Sequence, residues 1–381
     1  MRKVYLDNAA TSHKKPEQVK KAIFNYYENI GCSPGRGGYR DSIKAGRLIL
    51  EARTKLASFF NVPKPRQIIF THNVTYALNM GLKGILKQND HVITTTMEHN
   101  SVLRPLKGLE EKGIIKVDYI QCASDGTLDP NKIRNYIKDN TKLIVITYAS
   151  NVTGTLMPVK KISDIAYDSD LYFLLDTAQA AGAYQIDFQE LKTDFLAFTG
   201  HKGLMGPPGT GGFAVSKKMA ENMDSLIEGG TGSISDKEYQ PKFLPDKFES
   251  GTMNTPGIAG LKAGIEFIEK KGLKNIRKHE LELTEMFIEG LKRIEKVKIY
   301  GPNDINKQAP TISISIESKD LGQISYLLDD KFGIMTRSGL HCAPLAHKTI
   351  GTFPEGTLRF SIGYFNTEDE IKYTLEKLKK L

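Results

Sequence analysis

Cysteine is scarce in this chain: Cys32, Cys122 and Cys342 are the three in 381 residues. They are odd in number, far apart and never spaced as CxxC, which argues against a disulfide framework or a cysteine zinc site. The eight histidines show no HxxxH spacing, so no structural metal is expected. No apolar run approaches the ~20 residues needed to cross a bilayer, and no membrane partner is expected. The opening MRKVYLDNAATS turns polar by Asp7 where a signal peptide would build its apolar core. The expected location is the cytoplasm. Repeats, low-complexity segments and long linkers are lacking too, so about two or three closely packed domains of ~100–200 residues are expected.

The net charge of +9 invites a nucleic-acid reading. However, the lysines alternate with acids, as in IEKKGLKNIRKHELELTE. That pattern is a solvated helix face rather than an electrostatic footprint. No RNA-binding aromatic motif or zinc finger is present, and no nucleic-acid partner is expected. The excess positive charge instead aids solubility or attracts small anions and an acidic partner.

Short β-rich runs alternate with helical patterns through the first two-thirds of the chain. Residues 67–71, 91–96, 143–148, 171–176 and 194–199 are largely apolar and bounded by polar turns, as strands buried on both faces are. Helical stretches such as 75–86 and 159–167 lie between them, which predicts an α/β fold with a mostly parallel sheet flanked by helices. After about Gly257 two amphipathic helices, 258–271 and 275–295, precede strands at 311–317 and 357–363. A helix over 368–381 follows them. This predicts a smaller C-terminal α+β domain.

Ligands of open α/β sheets bind beyond the carboxyl ends of the strands. TTTMEHN places Glu98 and His99 there, ITYASNVTGT places Asn151, LLDTAQ places Asp176 and Gln179, and FTGHKG places Thr199, His201 and Lys202. A lysine able to form a Schiff base and a carboxylate able to keep a pyridinium protonated are what a pyridoxal phosphate site needs. IIFTHNVTYALN adds a strand, a turn and a helix start near Thr75 suited to an anion. Each residue has a plainer reading: Lys202 as a surface lysine, Asp176 as a helix N-cap, His99 as a satisfied strand-end residue. Arg359 lies inside an apolar strand pattern, where an uncompensated charge is costly, so a carboxylate ligand explains it better than a surface pair.

YLDNAATS, MEHNS, SNVTGT, DTAQAAG, TGHKGLMGPPGTGG, FESGTMNTPGIAGL, RSGLHCAPL and LRFSIGYFNTEDEI occur in that order over nearly the whole chain. In these motifs the sequence resembles the class V aminotransferase family (fold type I, aspartate-aminotransferase-like). RSGLHCAPL narrows the resemblance to the cysteine desulfurases with a short catalytic loop. The resemblance implies an N-terminal segment (1–16) packed with the small domain, a pyridoxal-phosphate-binding large domain (17–256) and a small domain (257–381) carrying the cysteine loop. Lys202 would anchor the cofactor, Asp176 would pair its ring nitrogen, His99 would stack on the ring and Gln179 would contact its hydroxyl. Val74 through its backbone, with Thr75, Thr199 and His201, would hold the phosphate, and Thr252 would reach the phosphate of the partner subunit in a homodimer. Asn151, counted also with the cofactor contacts, and Arg359 would clamp the substrate carboxylate, with Arg337 nearby.

The implied reaction converts L-cysteine to L-alanine, with Lys202 and His99 as the catalytic residues that remove the Cα proton, leaving a persulfide on Cys342 that passes to a protein sulfur acceptor. Iron–sulfur cluster assembly, tRNA thio-modification or selenium metabolism would follow downstream. Selenocysteine lyase is the nearest alternative, then a transaminase or epimerase with Cys342 a bystander, then a non-catalytic sulfur-relay scaffold. Gly339 and Pro344 argue that Cys342 lies in a loop, where a nucleophile can be accessible. His341 beside it points the other way in an extended chain and supplies no base. Cys122 reads as structural. Two departures from the family stand out: Val74-Thr75 replaces the usual Thr-Thr, and APLAHKTIGTFPEGT follows the cysteine.

Overall fold

The computed structural model describes residues 2–35 and 37–381; Met1, the first residue of the expected N-terminal segment, and Arg36 lie outside them. The chain runs β1 (Val4–Tyr5), α1 (Glu17–Asn29), α2 (Arg40–Phe59), β2 (Ile68–Thr71), α3 (Val74–Ile85), β3 (Asp90–Thr95), α4 (Asn100–Glu111) and β4 (Ile115–Ile120). It continues with β5 (Thr141–Thr147), α5 (Val159–Asp168), β6 (Tyr172–Asp176), β7 (Phe195–Thr199), β8 (Gly211–Val215) and α6 (Lys217–Asn222). Then follow α7 (Thr255–Lys271), α8 (Leu273–Leu291), β9 (Val297–Tyr300), β10 (Thr311–Ile316) and α9 (Leu321–Phe332). The last elements are β11 (Ile334–Met335), β12 (Arg337–Gly339), α10 (Pro344–Thr349), β13 (Thr357–Ser361) and α11 (Glu368–Leu378).

Seven strands form the central sheet in the order β2-β8-β7-β6-β5-β3-β4. The five from β7 to β4 run parallel, while β8 pairs antiparallel with both β7 and β2. Side chains alternate between the two faces with the period of two that a strand imposes. Val92, Leu143, Val145 and Leu174 pack under α3 and α4 through Leu78, Leu82, Val102 and Leu106. Ile93, Ile144, Ile146 and Leu175 face the other way, against α2, α5 and α7 through Ile49, Leu56, Ile162, Leu261 and Ile265. Both faces are therefore covered, which is why the strands read as continuous apolar runs.

A second sheet, β12-β13-β10-β9, is antiparallel throughout. Leu283 and Phe287 of α8, Ile324 and Leu328 of α9 and Ile371 of α11 cover it. The same cluster takes in Val4 and Leu6, because β1 pairs in parallel with β11. The first residues of the chain are thus tied to its last third, and this puts Asp7 beside β13.

Candidate active site

The carboxyl ends of the central strands carry the polar residues that sequence reasoning assembled. Asp176 ends β6, in register with Thr147 of β5 and Ala197 of β7. Lys202 lies in the turn after β7. Two glycines fix the relation between these turns. A Cβ on Gly182, whose φ is +95°, would come within 2.2 Å of Gly203, and one on Gly203 would sit 2.5 Å from the Ala181 carbonyl oxygen. The chain after Asp176 therefore lies backbone against backbone on the chain after Lys202, and only glycine permits that approach.

A cleft of about 280 Å³ opens here, and Val74, Thr75, His99, Asn151, Asp176, Gln179, His201, Lys202, Arg337 and Arg359 all border it. Burial lowers the Lys202 pKa to about 8, with Asp176 opposing the shift and Arg359 and Arg337 adding to it. Burial raises the Asp176 pKa, against the Ala178 N–H (2.9 Å) and the charge of Lys202. One wall is the start of α3, where Asn73 caps the helix by accepting from the Tyr76 N–H at 3.1 Å. That leaves the first backbone N–H groups and the positive end of the helix dipole beside the cleft.

His99 is the N-cap of α4, and its Nδ1 accepts from the Ser101 N–H at 3.0 Å. That bond assigns its proton to Nε2. Burial, followed by the charges of Lys202, Arg337, Arg359 and Arg104, lowers its pKa to about 4, so the ring is neutral. The Ser101 hydroxyl bridges His99 Nδ1 (2.9 Å) and Thr75 Oγ1 (2.8 Å). Beside it, Glu98 is fully buried and its pKa rises to about 8 through desolvation.

Arg359 of β13 is 1% exposed. Its Nη2 donates to Asp7 Oδ1 at 2.6 Å and its Nη1 to the Asn151 carbonyl at 3.0 Å, while Nε has no partner among the described residues. Arg337 sits opposite it in register on β12. The next loop turns through two consecutive left-handed residues, His341 (φ +47°) and Cys342 (φ +58°). The His341 ring goes inward, with Nε2 3.1 Å from the carbonyl oxygen of Thr357. Cys342 is exposed, with its carbonyl accepting from the Asn100 N–H at 2.7 Å. Arg337 Nη2 stands 3.9 Å from Cys342 Sγ.

Cys342 borders a second cleft that shares Thr75, His99 and Ser101 with the first. Thr199 ends β7 without bordering the cleft, its hydroxyl buried and unpartnered among the described residues. Thr252 is not brought to this site within the chain: it lines a separate cavity with His72, Tyr76 and Asn254. Cys122 is buried, and desolvation raises its pKa to about 11. Sequence reasoning missed Asp7 and Ser101. The signal for Asp7 was Arg359 itself, a buried cation in need of a local counter-charge; nothing in MEHNS singled out the serine.

Residues 4–374 match the family described as "Aminotransferase class-V". The chain is 34% identical over 382 residues to a "Probable cysteine desulfurase" of Methanothermobacter thermautotrophicus, covering 99% of this chain and 94% of that one. A protein of the same description from Pyrococcus abyssi is 35% identical over 384 residues, with 99% and 94% covered. Among solved structures, the apo structure of cysteine desulfurase from Thermococcus onnurineus superposes with a TM-score of 0.94 at 34% identity, covering 99% of this chain and 94% of that one.

Proposed function

The chain belongs to the class-V aminotransferase family, and from that premise we propose that it is a pyridoxal-phosphate-dependent cysteine desulfurase, with Cys342 as the residue that receives sulfur. One observation carries the reading: an exposed cysteine, 3.9 Å from Arg337, shares its walls with the cleft that holds Lys202 and Asp176. A transaminase has no use for a thiol there.

The residues present fit the cofactor. The hydroxyl of Thr199, at the end of β7 and just short of the residues that line the cleft, is buried with no partner among the described residues, which calls for a further polar group. Val74 and Thr75 at the start of α3, with Thr199 and His201, would hold the phosphate. Asp176 would hold a protonated ring nitrogen, Gln179 would meet the ring hydroxyl, His99 would stack on the ring and Lys202 would bind the aldehyde carbon. When bound, pyridoxal phosphate supplies an electron sink that labilises the Cα–H bond of an attached amino acid.

The chain's own residues supply the rest. Arg359, held rigid by Asp7 and Asn151, would join Arg337 in binding the substrate carboxylate. Lys202, with a pKa lowered to about 8, exists partly as the free amine near neutral pH and takes the Cα proton. Cys342 Sγ then attacks the substrate sulfur. The new S–S bond forms as the substrate's Cβ–S bond breaks, and protonation of the three-carbon fragment yields alanine. Arg337 gives an anionic sulfur its counter-charge.

A homodimer is part of this proposal. Phe24 and Tyr27 of α1 and Ile43 and Leu50 of α2 are more than half exposed, and such apolar surface suits a second copy. Thr252, set apart from the cleft of its own chain, would then serve its partner's. The test is product stoichiometry: purified holoenzyme given L-cysteine and dithiothreitol should release alanine and sulfide in equal amounts. Pyruvate, or no alanine, would sink the reading.

A further inference from the structure

The cleft at Cys342 has a volume of about 440 Å³, larger than the neighbouring cleft around Lys202. Among the described residues two cations border it, Lys83 from the exposed face of α3 and Arg104 from the exposed face of α4, and no aspartate or glutamate does. Neither cation makes a hydrogen bond or an ion pair among the described residues. Lys107, further along α4, pairs instead with Glu110 at 2.7 Å. Arg337 adds a third positive charge beside the sulfur. The exposed mouth of the site is thus lined by positive charge of one sign on two adjacent helices.

A persulfide on Cys342 has to be handed on, and the incoming nucleophile is an anion. The acceptor thiolate attacks the outer sulfur, forming a new S–S bond. The bond from Cys342 Sγ to that sulfur breaks and Cys342 leaves as thiolate, so no external oxidant or reductant is needed. A mouth of like charge raises the local concentration of anionic partners and their encounter rate. We propose that this cleft docks an acidic, cysteine-bearing segment of a sulfur-acceptor protein, with Lys83 and Arg104 pairing carboxylates that flank the acceptor cysteine. The proposal rests on the desulfurase reading. Its volume and the placement of the cations on two helices favour a segment of several residues over a single small thiol.

The test uses acetylated five-residue cysteine peptides, one flanked by glutamates and one by lysines, as sulfur acceptors for holoenzyme supplied with L-cysteine. Transfer to the glutamate peptide should outpace the lysine peptide, by about tenfold at low salt, with the ratio shrinking as salt screens the charges. The Lys83→Glu/Arg104→Glu variant should reverse the order, and Lys83→Gln/Arg104→Gln should level it. Comparing variants with wild type cancels the peptides' own difference in reactivity. Alanine formation driven by neutral dithiothreitol should stay unchanged in both variants. An unaltered peptide ratio in the variants would overturn the proposal. So would 2-mercaptoethanesulfonate if it matched the glutamate peptide in rate and in sensitivity to the variants, since the site would then take any anionic thiol. Absence of alanine with every thiol would overturn the desulfurase reading itself, and this proposal with it.

Discussion

Lys202 lies in the turn after β7 and faces Asp176, and burial outweighs that carboxylate in setting its pKa at about 8. Because only the free amine can attack an aldehyde, covalent capture of pyridoxal phosphate by apoprotein should quicken from pH 7 to 9 and level off above. Stopped-flow absorbance would show this, and a flat rate across that range would contradict it. A second buried group acts on stability. Glu280 of α8 is buried, and desolvation raises its pKa to about 8. Below pH ~4.5 the carboxyl is protonated in both the folded and unfolded states, and burial costs nothing extra. As the pH rises toward 8 the unfolded chain ionises while the folded one resists, so stability falls, by about a few kcal/mol. Glu280→Gln should therefore raise Tm over wild type at pH 8 and leave it level at about pH 3.5, below the unfolded pKa; an equal difference at both would rule the mechanism out. At this scale the sequence was informative wherever a polar residue closed an apolar run, as Asp176 and Lys202 do. It was silent where a partner came from far away. Asp7 and Arg359 meet across 352 positions, and Glu280 sits in a charged helix that reads as solvated.

Among the elements, α2 is fastened to the site's flank by a buried clasp. Arg53 bonds both oxygens of Glu249, at 2.8 and 2.7 Å, and each side chain is 6% exposed. Glu249 also accepts from the Phe70 N–H of β2 at 2.7 Å. Removing one partner leaves the other charge buried and unpaired, so Glu249→Ala should cost ~3–5 kcal/mol. Thermal unfolding measures it, and a loss under ~1 kcal/mol would show the pair to be dispensable. Four strands of the parallel core, β3, β5, β6 and β7, were legible to within a residue or two, because burial on both faces writes an unbroken apolar run; β4, at the sheet edge with Lys116 exposed, carries no such run and was not foreseen. β8 was not: GGFAV opens with two glycines, yet a Cβ on Gly212 would lie 2.2 Å from the Ile69 carbonyl oxygen. The glycines that blur its strand signal are what let it pack between β7 and β2.

For the whole molecule, the expected division into a large α/β part and a smaller α+β part rested on a change of pattern near Gly257. α7 itself packs into the core beneath the central sheet, a placement that helical periodicity alone does not encode. The exposed apolar faces of α1 and α2 carry the quaternary prediction. Light scattering should give twice the mass of one chain, and Phe24→Glu with Leu50→Glu should reduce it to one while lowering cofactor retention, since Thr252 would lose its partner's site. Wild-type protein running as a single chain with full cofactor and activity would contradict this. The most direct measurement is alanine and sulfide release from L-cysteine with dithiothreitol, comparing wild type with Cys342→Ala at equal cofactor occupancy. Equal amounts of both products from wild type and neither from the variant is the expected result; undiminished release from the variant would make Cys342 a bystander.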